Sequence, residues 1–101
     1  MILEIAVLNV IPEKTADFEA SFEIAQEIIS TVKGYMGHQL QQNLETLNRY
    51  ILLVKWEKIQ DHISGFRKSP AYQDWKKLLH HYYSPFPVVE HYSVKYDHFS
   101  K

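Results

Sequence analysis

Tyr50-Ile51-Leu52-Leu53-Val54-Lys55-Trp56-Glu57 is the stretch whose reading decides the fold of this chain. It is the most hydrophobic run in the sequence and is rich in β-branched and aromatic residues. It predicts a strand that ends abruptly at a charged helix start. Side chains alternate along an extended backbone, so Tyr50, Leu52, Val54 and Trp56 face one way and Ile51, Leu53 and Lys55 the other. Both sets are mostly apolar, so both faces need cover. One layer of helices covers one face. The other requires a partner chain, a ligand or both.

Working outward, residues 1–10 predict a first strand, with Leu3, Ile5, Val7 and Asn9 on one face and Glu4, Ala6, Leu8 and Val10 on the other. Asn9 either ties down the turn after the strand or offers a hydrogen bond at a pocket mouth. Pro12 ends the strand, and residues 13–32 predict a helix. Its apolar stripe is Phe18, Phe22, Ala25, Ile29 and Val32, and Gly34 stops it. Residues 36–45 read as a weaker, half-exposed strand with His38 as a surface side chain, joined to the central one by a turn at Thr46-Leu47-Asn48.

Beyond Trp56 the pattern is helical but broken at Gly65, with Ile59, Ile63 and Phe66 on one face and His62 beside them. Ser69 as N-cap and Pro70 at the first position restart a helix. On it Tyr72, Trp75, Leu79, Tyr82 and Tyr83 share a face, with His80 on its flank and His81 toward solvent. Residues 88–96 predict a last strand. The polar tail, 97–101, is expected to be loose.

The order strand, helix, strand, strand, helix, strand is the ferredoxin-like split βαβ arrangement. It predicts a single α+β domain over 1–101 with a four-stranded antiparallel sheet. Both helices lie on one face, and the first and third strands are central. The open face then carries Leu, Val and Ile side chains, too large a patch for water. Two such sheets packed face to face in a homodimer would cover it.

Composition narrows the function. With 101 residues, 46% hydrophobic and 23% charged, the chain can bury one modest core. A net charge of -1 and the absence of any Lys/Arg run argue against nucleic-acid and anionic-membrane partners. The longest apolar run is too short to span a bilayer. Without cysteine there is no disulfide, thiolate metal site or Cys nucleophile. The start of the chain does not read as a signal peptide, so a cytoplasmic location is expected. No metal motif stands out: His80 and His81 are adjacent and diverge on a helix, and four residues after His62 stands Phe66. Three scattered glycines make no phosphate loop.

What remains is a cluster by arrangement. If both helices pack on the sheet, Trp56, His62, Phe66, Tyr72, Trp75 and Tyr83, with His80 and His91 at the edge, line the gap beside the broken helix. Such a lining suits a flat aromatic ligand, with a neutral histidine as general base. The same residues also suit a plain aromatic core with histidines hydrogen-bonded at its rim. Glu90 and His91 are neighbours on a strand and face opposite ways, and which one points inward is left open.

Several of these stretches together resemble the antibiotic biosynthesis monooxygenase family. They are 50–57, then His62, then Gly65-Phe66-Arg67-Lys68-Ser69-Pro70-Ala71-Tyr72. Asp74 to His80, Pro87 to Tyr92 and the Asn9-Val10-Ile11-Pro12 entry extend the resemblance over nearly the whole chain. It implies a dimeric α+β barrel and, where members are enzymes, oxidation of phenolic or quinol-type rings by molecular oxygen with no metal, flavin or haem. Ground-state oxygen is a triplet and reacts slowly with closed-shell molecules, but a deprotonated phenol can pass it one electron. The resemblance makes His62 the expected base or hydrogen-bond partner, His80 a second expected catalytic group, and Tyr72 or Trp75 a wall for the ring. A non-catalytic dimeric ligand-binding module is the alternative. Relatives in the wider superfamily degrade haem, using an Asn, a Trp and a His ligand. Here Asn9 is present, but Phe66 stands at the Trp position and Trp75 or Lys76 at that of the His, with His80 about one turn later.

Overall fold

β1 (Ile2–Asn9) and β3 (Arg49–Trp56) pair antiparallel through the middle of a four-stranded sheet, in register from Ile2 opposite Trp56 to Asn9 opposite Arg49. β2 (Tyr35–Gln42) flanks β3 and β4 (Val89–Tyr92) flanks β1, giving the order β2-β3-β1-β4. The computed structural model describes residues 1–99. It is the ferredoxin-like α+β fold expected from the element order, with the two most apolar strands central.

Period-two alternation sorts the sheet into two faces. Tyr50, Leu52, Val54 and Trp56 of β3 are buried with Ala6 and Leu8 of β1 beneath the helices. α1 (Thr15–Ile29) contributes Phe18, Phe22, Ala25 and Ile29 to that core, the stripe its helical spacing predicts. α2 (Pro70–Leu79) adds Trp75 and Leu79, and starts on the Ser69 hydroxyl, which accepts from the Tyr72 N–H. The opposite face has no helix. Leu3, Ile5, Ile51 and Leu53 are half-exposed there, beside exposed Val7 and Tyr92. Among the described residues no helix is long and apolar enough to cross a membrane.

Four local readings are corrected. β2 stops at Gln42, because the Asn43 Oδ1 accepts from the Glu45 and Thr46 N–H groups at 2.8 and 2.7 Å and turns the chain. β4 spans four residues rather than nine. Tyr92 already pairs with Leu3, so further residues run off the N-terminal end of β1. The broken helix contains a π-helical turn, Asp61–Phe66, closed by the Arg67 N–H on the His62 carbonyl at 3.0 Å. That wider turn buries His62 and Phe66, four residues apart, and leaves Ile63 40% exposed instead of on the buried face. His38 is a half-buried bridge between the Tyr35 hydroxyl and Gln26 rather than a free surface side chain. The loose tail expected over 97–101 lies partly outside the described residues, and 97–99 carry no regular structure.

Gly34 shows why the loop before β2 needs glycine. Its φ is +86°, and a Cβ there would sit 2.1 Å from an Asp61 carboxylate oxygen. That Asp61 in turn accepts from the Lys58 N–H at 3.0 Å, fixing the entry to the π-helical turn.

Candidate functional site

β1 brings one carboxylate into an apolar face. Glu4 alternates with Ala6 and Leu8 and is only 5% exposed. Its register places it between Val54 of β3 and His91 of β4. A buried carboxylate needs donors. The Trp56 indole N–H donates to Glu4 Oε1 at 2.8 Å, and His62 Nε2 lies 3.4 Å from the same oxygen. Among the described residues no donor reaches the second oxygen, Oε2.

The π-helical turn presents His62 to this carboxylate. Its ring stacks on Trp56, with centroids 5.5 Å apart and planes 19° from parallel. Its Nδ1 lies 2.8 Å from His91 Nε2. Both ring nitrogens of His62 thus face protein groups. Of the neighbours Glu90 and His91, it is His91 that turns inward, while Glu90 points out and accepts from the Tyr92 hydroxyl.

Burial sets the charge states. It raises Glu4 above the usual carboxylate value, against the Trp56 hydrogen bond and the Arg67 guanidinium. It lowers His62 to about 3, helped by Arg67 and His91, so this imidazole is uncharged near neutrality. The facing carboxylate pulls the other way, but burial restrains its own ionisation as well. His91 is lowered by burial and Arg67, and His80 by burial and Lys76. Burial also raises Tyr72, with Arg67 opposing and Glu4 adding to the shift.

These groups surround a recess of about 40 Å³. Glu4, Ala6 and Leu52 floor it, Phe66, Tyr72 and Trp75 wall it, and His62, His80 and Arg67 supply its polar edge. Phe86, Pro87 and Val89, from the approach to and start of β4, also line it. The volume suits about two or three waters. The buried His80 Nδ1 has no hydrogen-bond partner among the described residues.

Of the residues singled out from sequence, His62, His80, Phe66, Tyr72 and Trp75 line this recess. Trp56 and His91 stand one contact behind, through Glu4 and His62. Tyr83 does not line it: it is buried against the rings of Phe18 and His80. Asn9 is not near it. It lies five residues from Glu4, an odd step that puts it on the other face and about 17 Å along the strand. There its Oδ1 accepts from Arg49 Nε at 3.3 Å. Glu4 and Arg67 were not singled out for the pocket. The available signal for Glu4 was a lone carboxylate in an otherwise apolar set. Among the described residues no group of three or more His, Cys, Asp or Glu is arranged to hold a metal ion. A haem is far larger than the recess.

The antibiotic biosynthesis monooxygenase family model matches residues 1–78. The Bacillus subtilis protein YczJ is 47% identical over 92 residues, covering 91% of this chain and 97% of that protein. A Bordetella bronchiseptica crystal structure, described as a putative antibiotic biosynthesis monooxygenase, superposes with a TM-score of 0.90 at 35% identity. It covers 94% of this chain and 97% of its own. The fold is also that of SnoaB, a cofactor-independent oxygenase from Streptomyces nogalater, with a TM-score of 0.80 at 14% identity, covering 95% of this chain and 94% of SnoaB.

Proposed function

The chain belongs to the antibiotic biosynthesis monooxygenase family, and from that premise we propose that it oxidises a phenolic or quinol-type ring with molecular oxygen and no prosthetic group. One observation carries the reading: aromatic walls, a buried carboxylate, uncharged imidazoles and a guanidinium meet in a single recess. The phenol loses its proton and passes one electron to oxygen. The radical pair combines at a hydrogen-bearing ring carbon to form a peroxide that takes back the phenol's proton, and the resulting hydroperoxide loses its hydroxyl with that carbon's hydrogen as water, leaving a carbonyl. All four electrons come from the ring, and the two oxygen atoms divide between product and water. Phe66, Tyr72 and Trp75 hold the ring, Arg67 offsets the phenolate charge, and the aromatic walls shield the radical pair from bulk water.

A ring does not fit the recess as it stands. A cavity that takes up benzene is on the order of 150 Å³. Entry therefore requires the 84–88 segment, with Phe86 63% exposed, to swing away from the helices. The same small volume favours a second reading, a non-catalytic module that binds a smaller ligand. Oxygen uptake against a panel of phenols and quinols separates the two. The first reading expects one oxygen consumed per ring converted, and a lower KM for larger rings in Phe86→Ala. Binding without oxygen uptake across the panel would establish the second.

The open face of the sheet supports a homodimer within this proposal. Leu3, Ile5, Val7, Ile51 and Leu53 form an apolar strip that a second copy would cover. Sedimentation is expected to give twice the chain mass. Val7→Glu is expected to give the monomer, and an intact protein that sediments as a monomer excludes the dimer.

A further inference from the structure

We propose that Glu4 is the proton acceptor in this recess, and that His62 and His91 are positioning residues that link its carboxyl to solvent. The inference rests on the phenol reading above and names the group that does its first step.

Geometry separates the two possible bases. A base needs a lone pair that faces the ligand. His62 has none to offer, because its Nδ1 is 2.8 Å from His91 and its Nε2 3.4 Å from Glu4. Glu4 lines the recess, and among the described residues no protein donor reaches its Oε2, while the Trp56 N–H donates to Oε1. The groups facing Glu4 come from every neighbouring element: Trp56 from β3, His62 and Arg67 from the π-helical region, Tyr72 from α2 and His91 from β4. Arg67 is their lasting positive charge.

The row Glu4–His62–His91 has two self-consistent arrangements of hydrogen. With Glu4 ionised, His91 Nε2–H donates to His62 Nδ1, and His62 Nε2–H faces Glu4 Oε1 across 3.4 Å. With Glu4 protonated, its O–H faces His62 Nε2 across the same gap, and His62 Nδ1–H donates to His91 Nε2. Both leave the imidazoles neutral, as burial demands. Passing from the second to the first hands one proton from His91 Nδ1 to water and leaves Glu4 a carboxylate. His91 is half-exposed on the edge strand and reaches that water. The phenol O–H bond then breaks toward Glu4 Oε2, and the phenolate stays beside Arg67. The same proton returns to the peroxide that the radical pair forms, giving the hydroperoxide, whose hydroxyl leaves as water with the hydrogen of the ring carbon, so the cycle closes with no net proton. Burial also brings Glu4 toward the working pH and takes His62 away from it, the difference expected between a base and its support.

Two readouts test this on the full chain. In the first, para-nitrophenol is bound below its own solution pKa, and both the phenolate absorbance and the infrared carboxyl stretch are followed. The intact protein is expected to form phenolate together with a new protonated-carboxyl band. Glu4→Gln, which keeps an acceptor for Trp56, is expected to bind within a few-fold and form neither. His91→Asn is expected to keep the phenolate but shift the pH at which it forms. The second readout is oxygen uptake with a quinol. Glu4→Gln is expected to lower kcat by roughly 10²- to 10⁴-fold with little change in KM. A ring already ionised in solution is expected to restore the rate. Equal phenolate or equal kcat in Glu4→Gln overturns the assignment and leaves the oxidation standing. Should that variant not fold, the infrared measurement on the intact protein decides, because phenolate without a new carboxyl band also overturns it. Phenolate with the band but no oxygen uptake keeps Glu4 and removes the oxidation. No binding of either ring removes both.

Discussion

β3 carries an aromatic side chain hydrogen-bonded to a glutamate at each end, and the two ends differ in everything else. At one end the Tyr50 hydroxyl donates to Glu19 at 2.5 Å. Glu19 is exposed on α1, and the Tyr50 ring sits in a filled core against Phe18, 4.9 Å away. At the other end the Trp56 N–H donates to Glu4, which is buried on a central strand beside a hollow. The first pair closes a core with its carboxylate in water. The second keeps its carboxylate out of water and couples it to two imidazoles. The difference teaches that one motif closes a core or borders a hollow according to where the carboxylate lies.

The largest expected break in this comparison is Trp56→Ala. It removes a fully buried side chain and leaves Glu4 without its donor, and is expected to cost about 3–5 kcal/mol by urea denaturation. Next comes the acid limb. The folded His62 lies well below its unfolded value of 6.5, so its contribution is present above that pH and is lost as pH falls toward about 3. Glu4, raised when folded, works the other way: its contribution is full below 4.5 and is lost as pH rises through its folded value. The two partly cancel in the intact protein, and His62→Gln, which removes only the first, is expected to recover about 3 kcal/mol at about pH 4 relative to neutral pH. The smallest effect belongs to Tyr50→Phe, about 0.5–1.5 kcal/mol at neutral pH. Tyr50 is raised by burial and by Glu19, so its contribution is full below pH 10 and is lost above it. Tyr50→Phe should therefore flatten an alkaline limb, where His62→Gln flattens an acid one. A Tyr50→Phe protein that gains stability in acid as the His62 variant does would erase the contrast.

Legibility followed periodicity. Alternation in β1 and β3 and the four-and-three spacing of α1 set the architecture, because each side chain's direction there depends only on its own strand or helix. The pocket's aromatic walls followed from the same spacing. Three features were out of reach. The π-helical turn changes the period inside one element, which moved Ile63 out and His62 in. The β1–β4 register decides between Glu90 and His91, and it joins residues nearly ninety positions apart. The partnership of Glu4 with Trp56 is likewise a matter of register, since Trp56 pairs with Ile2 and reaches Glu4 diagonally across one face.

The brevity of β4 carries a consequence for timing. It is held to β1 over four pairs and bears His91, while the segment before it bears Phe86 and Pro87. Detaching that edge leaves β1, β2, β3 and both helices packed, so the recess can open through a local excursion that leaves the fold intact. Amide exchange in β4 is therefore expected to be the fastest of the four strands. The rate at which a ring is admitted would then be set by the lifetime of four backbone pairings, a kinetic gate lying at the sheet's margin and not in its core.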